Sequence, residues 1–146
     1  THRAKVAELL MRTNQQLTLG NFEMDWDAGE VYFRVTNVFP VHRCDEAILA
    51  ALVHAAVAEM NRLGVIVDVA HSGWKTAYDG AKASAKPMVA SHTSCCSVYE
   101  HFRGKPDEAI KAICDTDGLV GICCIPRFLG GRGDITSMMD HLDHLI

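Results

Sequence analysis

Two histidines combine the residue type and the spacing best suited to chemistry in this chain. Val65-Ile66-Val67-Asp68-Val69-Ala70-His71 is a strand-like apolar run, and Pro87-Met88-Val89-Ala90-Ser91-His92 is a second. A helix-like stretch, Ser72 to Ser84, separates them. A strand–helix–strand unit lays its strands parallel, with neighbours ~4.8 Å apart. Ligands gather at the carboxyl ends of such strands. His71 and His92 are therefore expected at one end of a sheet, where two imidazoles can share one metal ion or a pair of ions. The other reading is a pair of polar caps bonded to backbone. Two histidines fall short of the three protein ligands usual for catalytic zinc. Asp68 is not expected to help, because three residues along a regular strand point to the opposite face.

Other candidates are weaker. Arg103 can hold a carboxylate bidentately, as a planar guanidinium does well, or stand as a solvated arginine in the loop Arg103-Gly104-Lys105. Ser94, Cys95 and Cys96 lie near His92, but no oriented base and third partner can be named, so no catalytic nucleophile is assigned. Gly130-Gly131-Arg132-Gly133 precedes a helix near Asp134, yet its spacing fits neither phosphate-binding fingerprint, which leaves a flexible loop.

The elements that must position these residues change character near Met60 to Gly64. Before that point the pattern is helix, hairpin, helix. Val6, Leu9 and Leu10 have helical spacing, with a stop at Asn14. Leu17 and Leu19 alternate, then Phe22, Met24 and Trp26 in the opposite phase, so a bulge is expected at Gly20-Asn21. Asp27-Ala28-Gly29 is a turn, Val31, Phe33 and Val35 form the partner strand, and Pro40 ends it. Phe22, Met24, Trp26 and Tyr32 are expected on one apolar face. Asp45 caps a long helix that Gly64 closes. After Gly64 come strands at about 65–71, 87–92 and 119–125, with helices at about 74–84, 106–116 and 134–146. Gly118 is the expected stop of the second of these helices. The strands are continuous apolar runs, as in a parallel sheet covered on both faces. The fold class is α/β: a helix–hairpin–helix followed by three β/α units.

Composition bounds the rest. The chain has 146 residues, 49% hydrophobic and 22% charged, which is the balance of a folded globular protein. A net charge of −4 gives no case for nucleic acid. No apolar run reaches the ~20 residues of a membrane span, and no signal-peptide core stands at the start. Cys44, Cys95, Cys96, Cys114, Cys123 and Cys124 form no C-x-x-C pair. They are read as reduced, mostly buried thiols of a cytoplasmic protein. Three parallel strands leave two unpaired edges, so either the hairpin covers one or two chains associate as a homo-oligomer.

The second half resembles the membrane (renal) dipeptidase family. The resemblance rests on Met60-Asn61-Arg62-Leu63-Gly64, Val67-Asp68-Val69-Ala70-His71-Ser72, Ser91-His92-Thr93-Ser94, Arg103-Gly104-Lys105-Pro106-Asp107-Glu108 and Asp140-His141-Leu142-Asp143-His144. The offsets of 21 residues from His71 to His92 and 11 from His92 to Arg103 agree as well. The resemblance covers about residues 57–146. It implies a (β/α)₈ barrel with two zinc ions at its carboxyl-end face, hydrolysing dipeptides. His71 and His92 would then be ligands of one zinc, and Arg103 the partner of the substrate carboxylate. The family's His-x-Asp pair, bridging glutamate and last-strand aspartate have no match. His141-Leu142-Asp143 has the letters but lies in the terminal helix. An eightfold barrel needs ~200 residues or more, so this chain is expected to form part of one and to be inactive alone.

Residues 4–60 resemble YbjN-type, type III secretion chaperone-like domains. That resemblance rests on Ala7-Glu8-Leu9-Leu10-Met11-Arg12-Thr13-Asn14, Leu17-Thr18-Leu19-Gly20-Asn21-Phe22-Glu23-Met24-Asp25 and Gly29-Glu30-Val31-Tyr32-Phe33-Arg34. It implies a small protein-binding α/β fold without a catalytic site. The expected organisation is residues 1–62 of this type and 63–146 of the dipeptidase type, joined as a chimera within the helix Asp45 to Arg62.

Overall fold

The computed structural model describes residues 1–36 and 45–146. The readings placed on Pro40 and Cys44 lie outside them. The chain is a mixed α/β structure and divides into two compact units, Thr1–Glu59 and Met60–Ile146.

In the first unit, helix α1 (His2–Asn14) leads to strand β1 (Asn21–Met24), which pairs antiparallel with β2 (Val31–Arg34). Asn14 ends α1 and clasps β1. Its Oδ1 accepts from the Phe22 N–H at 2.7 Å, and its Nδ2 donates to the Phe22 carbonyl at 3.0 Å. The turn is organised by Asp25, whose Oδ1 accepts from the N–H groups of Asp27 and Ala28. Gly29 follows at φ 76°. The Arg3 guanidinium donates to the Trp26 carbonyl at 2.6 Å, tying α1 to this turn.

The expected bulge is absent. Gly20 turns the chain at φ 76° before β1 begins, and the register from Asn21↔Arg34 to Met24↔Val31 runs without a slip. The apolar face also differs. Phe22 pairs with Phe33, ring centroids 4.9 Å apart, and is 8% exposed. Tyr32 lies opposite Glu23 and is 47% exposed, and Trp26 lies past the strand end at 52%. Asp45 accepts from the Ala47 N–H at 2.9 Å and caps helix α2 (Glu46–Arg62), which Gly64 closes at φ 72°.

In the second unit, β3 (Val67–Asp68), β4 (Met88–Thr93) and β5 (Leu119–Ile122) form a parallel sheet in that order. Between them run α3 (Trp74–Ala83) and α4 (Asp107–Cys114), followed by α5 (Pro126–Leu129) and α6 (Ile135–Leu145). β3 and β5 are shorter than the apolar runs, whereas β4 keeps six residues. β5 stops at Ile122, and Pro126 then opens α5, as proline suits a first helical turn. Ala77 and Ala81 of α3 and Ala109 and Ala112 of α4 are buried, and small side chains let these helices pack closely. Asp117, at φ 59°, takes the left-handed position after α4 in place of Gly118. Gly118 is needed for another reason. A Cβ there would stand 1.9 Å from the Met88 carbonyl oxygen, so only glycine lets β5 approach β4.

His141 of α6 is fully buried. Its Nδ1 accepts from the Cys95 N–H at 3.0 Å, and its Nε2–H donates to the Leu129 carbonyl at 3.1 Å. This neutral ring joins the end of β4, α5 and α6, which gives the histidine of the His-x-Asp letters a structural role. His141→Leu would strand a buried N–H and a buried carbonyl, each worth ~1–3 kcal/mol. We expect a loss of about 2–6 kcal/mol in urea unfolding, with the far-ultraviolet spectrum kept.

Candidate metal centre

The pairing of β3 with β4 carries His71 and His92 to one end of the sheet. Val69 N–H still bonds to the Val89 carbonyl at 2.8 Å, after which the chain leaves β3 and reaches His71. His92 sits within β4 itself. The two Nε2 atoms are 2.8 Å apart, with ring centroids separated by 4.9 Å and planes at 66°.

Asp68 adds no third ligand, as expected, but it meets the pair through Ser91, which strand alternation did not suggest. β3 has only two residues, so the three-residue count to His71 does not follow a regular strand. Asp68 Oδ1 accepts from the Ala70 N–H at 2.9 Å and the Ser91 N–H at 3.2 Å. Its Oδ2 takes the single hydroxyl proton of Ser91. Ser91 Oγ must then accept from His92 Nδ1–H, at 2.8 Å. His92 therefore presents a bare Nε2, and His71 Nε2–H donates to it. A carboxylate thus fixes the tautomer of a candidate metal ligand through one serine. Spacing marked the histidines but not this chain, because Asp68 and Ser91 meet only across the sheet.

The field around the imidazoles is mixed. The Arg103 guanidinium, then desolvation and the neighbouring His92, hold the His71 pKa below its ordinary value, against the opposing pull of Asp68. Burial works against ionisation of Asp68. The bonds from Ser91 and Ala70 and the field of His92 together outweigh it and leave its pKa lowered.

Arg103 reaches the site on the segment after β4. Thr93 Oγ1 donates to the Arg103 carbonyl at 3.0 Å, and the Arg103 N–H donates to His101 Nδ1 at 3.1 Å. Its guanidinium lies 5.6 Å from the centroid of Phe128, a cation–π contact, and makes no ion pair among the described residues. Arg103 and His71 line one open cleft of about 370 Å³ with Ser72, Gly73, Trp74 and Phe102. The cysteines offer no nucleophile here. Burial pushes the Cys95 thiol up to about 11 and raises Cys96 as well.

Two nitrogens this close suit two corners of a tetrahedral zinc, where ligand nitrogens ~2.0–2.1 Å from the ion lie ~3.3 Å from each other. Among the described residues, no group of three His, Cys, Asp or Glu side chains could hold a metal ion. The pair fits part of a coordination sphere and does not fit a complete catalytic zinc site, which takes three protein ligands.

The family described as membrane dipeptidase, peptidase family M19, matches residues 39–146. An uncharacterized dipeptidase of Schizosaccharomyces pombe is 35% identical over 92 residues, covering 61% of this chain and 22% of that protein. A metallopeptidase from Rhodobacter sphaeroides, solved with a phosphinate mimic of the dipeptide L-Ala-D-Ala, is 32% identical. Its TM-score is 0.59 over 64% of this chain and 28% of that one. An amidohydrolase from Pseudomonas aeruginosa is 28% identical with a TM-score of 0.58, over 90% of this chain and 35% of that one. The chain therefore spans a fifth to about a third of the relatives it matches.

Replacing Arg103 by glutamine removes the largest influence that disfavours the charged His71 ring. Arg103→Gln is therefore expected to raise the His71 titration midpoint, followed by nitrogen-15 NMR of the imidazoles. An unmoved or lowered midpoint counts against this electrostatic account.

Proposed function

Because the chain belongs to the membrane dipeptidase family of metallopeptidases, peptidase family M19, we propose that it carries part of a zinc dipeptidase centre. His71 and His92 supply two ligands of one ion, and Arg103 receives the carboxylate of a dipeptide. The observation that carries this reading is the 2.8 Å approach of two Nε2 atoms at neighbouring parallel strand ends. The Asp68–Ser91 link to His92 supports it, since metal-bound imidazoles keep their other nitrogen tied to such a partner.

Each residue has a defined task. Asp68 draws the Ser91 proton, Ser91 orients His92, and the bare Nε2 of His92 would be one ligand of the ion. The cationic Arg103 keeps His71 neutral as pH falls, so protons compete less for its ligand nitrogen. The same guanidinium, unpaired among the described residues, stays free for a carboxylate at the cleft mouth. A zinc ion held there would polarise a peptide carbonyl and supply a nucleophilic water.

The described ligand set is incomplete, so these 146 residues alone are expected to show little or no dipeptidase activity. Metal analysis of the purified chain, run beside a dipeptide hydrolysis assay, tests this. Steady zinc-dependent turnover that His71→Ala abolishes would overturn the expectation of inactivity while supporting the metal pair.

The first unit admits a second reading, as a protein-binding, chaperone-like module. In its favour are an open groove in which Ala4, Ala7, Met11 and Trp26 stand beside the polar Glu8, Arg12 and Gln15, and the exposure of Met11 and Trp26. A family match that begins at residue 39 weighs against a junction near residue 60. A pull-down that recovers one defined partner and loses it on Trp26→Ala would support the module. Recovery unchanged by Trp26→Ala would remove it.

A further inference from the structure

Lys105 is fully buried, and it forms no ion pair among the described residues. An ammonium taken out of water without a carboxylate is strongly disfavoured, and burial pushes its pKa down. Its compensation is specific. Nζ donates to the carbonyl oxygen of Ser72 at 2.8 Å and of Ala70 at 3.3 Å. Those residues flank His71 on both sides. The main chain of Lys105 is tied to the continuation of the other histidine's strand. Its N–H donates to the Ser94 carbonyl at 2.8 Å, and its carbonyl accepts from the Cys96 N–H at 3.0 Å. One residue thus grips the His71 segment with its side chain and the His92 strand with its backbone.

The need for such a grip is visible in the sheet. β3 pairs with β4 at two positions only, and the last backbone bond before His71 is that of Val69. Beyond it, the described bonds of Ala70 and Ser72 run to Asp68, Val69, Gly73 and Lys105. Of these partners, Lys105 alone comes from the far side of β4. A side chain of similar length without a charge would fill the same space at less cost, so the two carbonyl contacts are what the ammonium adds.

We propose that Lys105 is a positioning residue for the imidazole pair: it locks the carbonyls of Ala70 and Ser72 and so holds His71 Nε2 against His92 Nε2. This rests on the reading of the pair as the functional centre, but its test needs no metal. Nitrogen-15 NMR of the whole chain, with neutral imidazoles and no metal added, is expected to show a through-hydrogen-bond coupling between the two Nε2 atoms. Lys105→Met is expected to abolish that coupling while the amide spectrum of β4 and β5 is kept. It is also expected to weaken zinc affinity about tenfold, the scale of lost support around metal ligands.

A full-strength coupling in folded Lys105→Met, or no coupling in the unaltered chain, overturns the proposal. If Lys105→Met does not fold, Lys105→Gln replaces it. Its shorter side chain keeps donors but not the reach, and an undiminished coupling there overturns the proposal equally. If the coupling is present and lost as expected but zinc binds to neither chain, Lys105 keeps its role and the metal reading fails.

Discussion

The parallel pairing of β3 with β4 is the interaction on which the rest of the second unit depends. Two backbone positions, Val67↔Met88 and Asp68↔Val89, set the register. A slip of one residue would move Asp68 away from Ser91 and turn side chains to the other face. In the register observed, one carboxylate reaches across to the neighbouring strand, and both histidines arrive at one end. Gly118 supports the same arrangement from the other edge, since a side chain there would collide with the carbonyl of Met88.

Around that frame the charges divide into two groups with opposite effects. Asp68 orders the far side of His92 through Ser91. Arg103 first, then desolvation and His92, with a smaller part from Lys105, lower the His71 pKa. A neutral imidazole with a bare nitrogen is what a metal demands, whereas a charged one would repel it. Lys105 and His141 are both fully buried polar residues that bond backbone groups from distant segments. Each pins a loop that the short strands leave loosely held. The segment between β4 and α4 is therefore a built strap, and Arg103 sits on it at a defined place.

Much of the element order was legible because it follows from short-range pattern. Asn14 stops a helix, Asp45 caps one, and Gly64 closes it, each within a few residues of its effect. The errors have local causes too. Phase alternation suggested a bulge at Gly20-Asn21, but Gly20 could absorb the phase change by turning before the strand began. Helix α5 went unread because its four residues, Pro126–Leu129, are too few to show a helical period. Asp68 was set aside by assuming a regular strand through His71, and the strand stopped at Asp68 itself.

Sequence by itself determined that two histidines stand at the ends of successive strand-like runs, that an arginine follows at a fixed offset, and that both resemble a dipeptidase-type pattern. The first two are matters of pattern and spacing along the chain, and the third is a resemblance carried by the residues around them. Tertiary structure alone decided the tautomer of His92 and the grip of Lys105 on the carbonyls beside His71. Those contacts join residues 23 to 35 positions apart. They depend on strand register and on the path of a loop, and neither is written in any local stretch of residues.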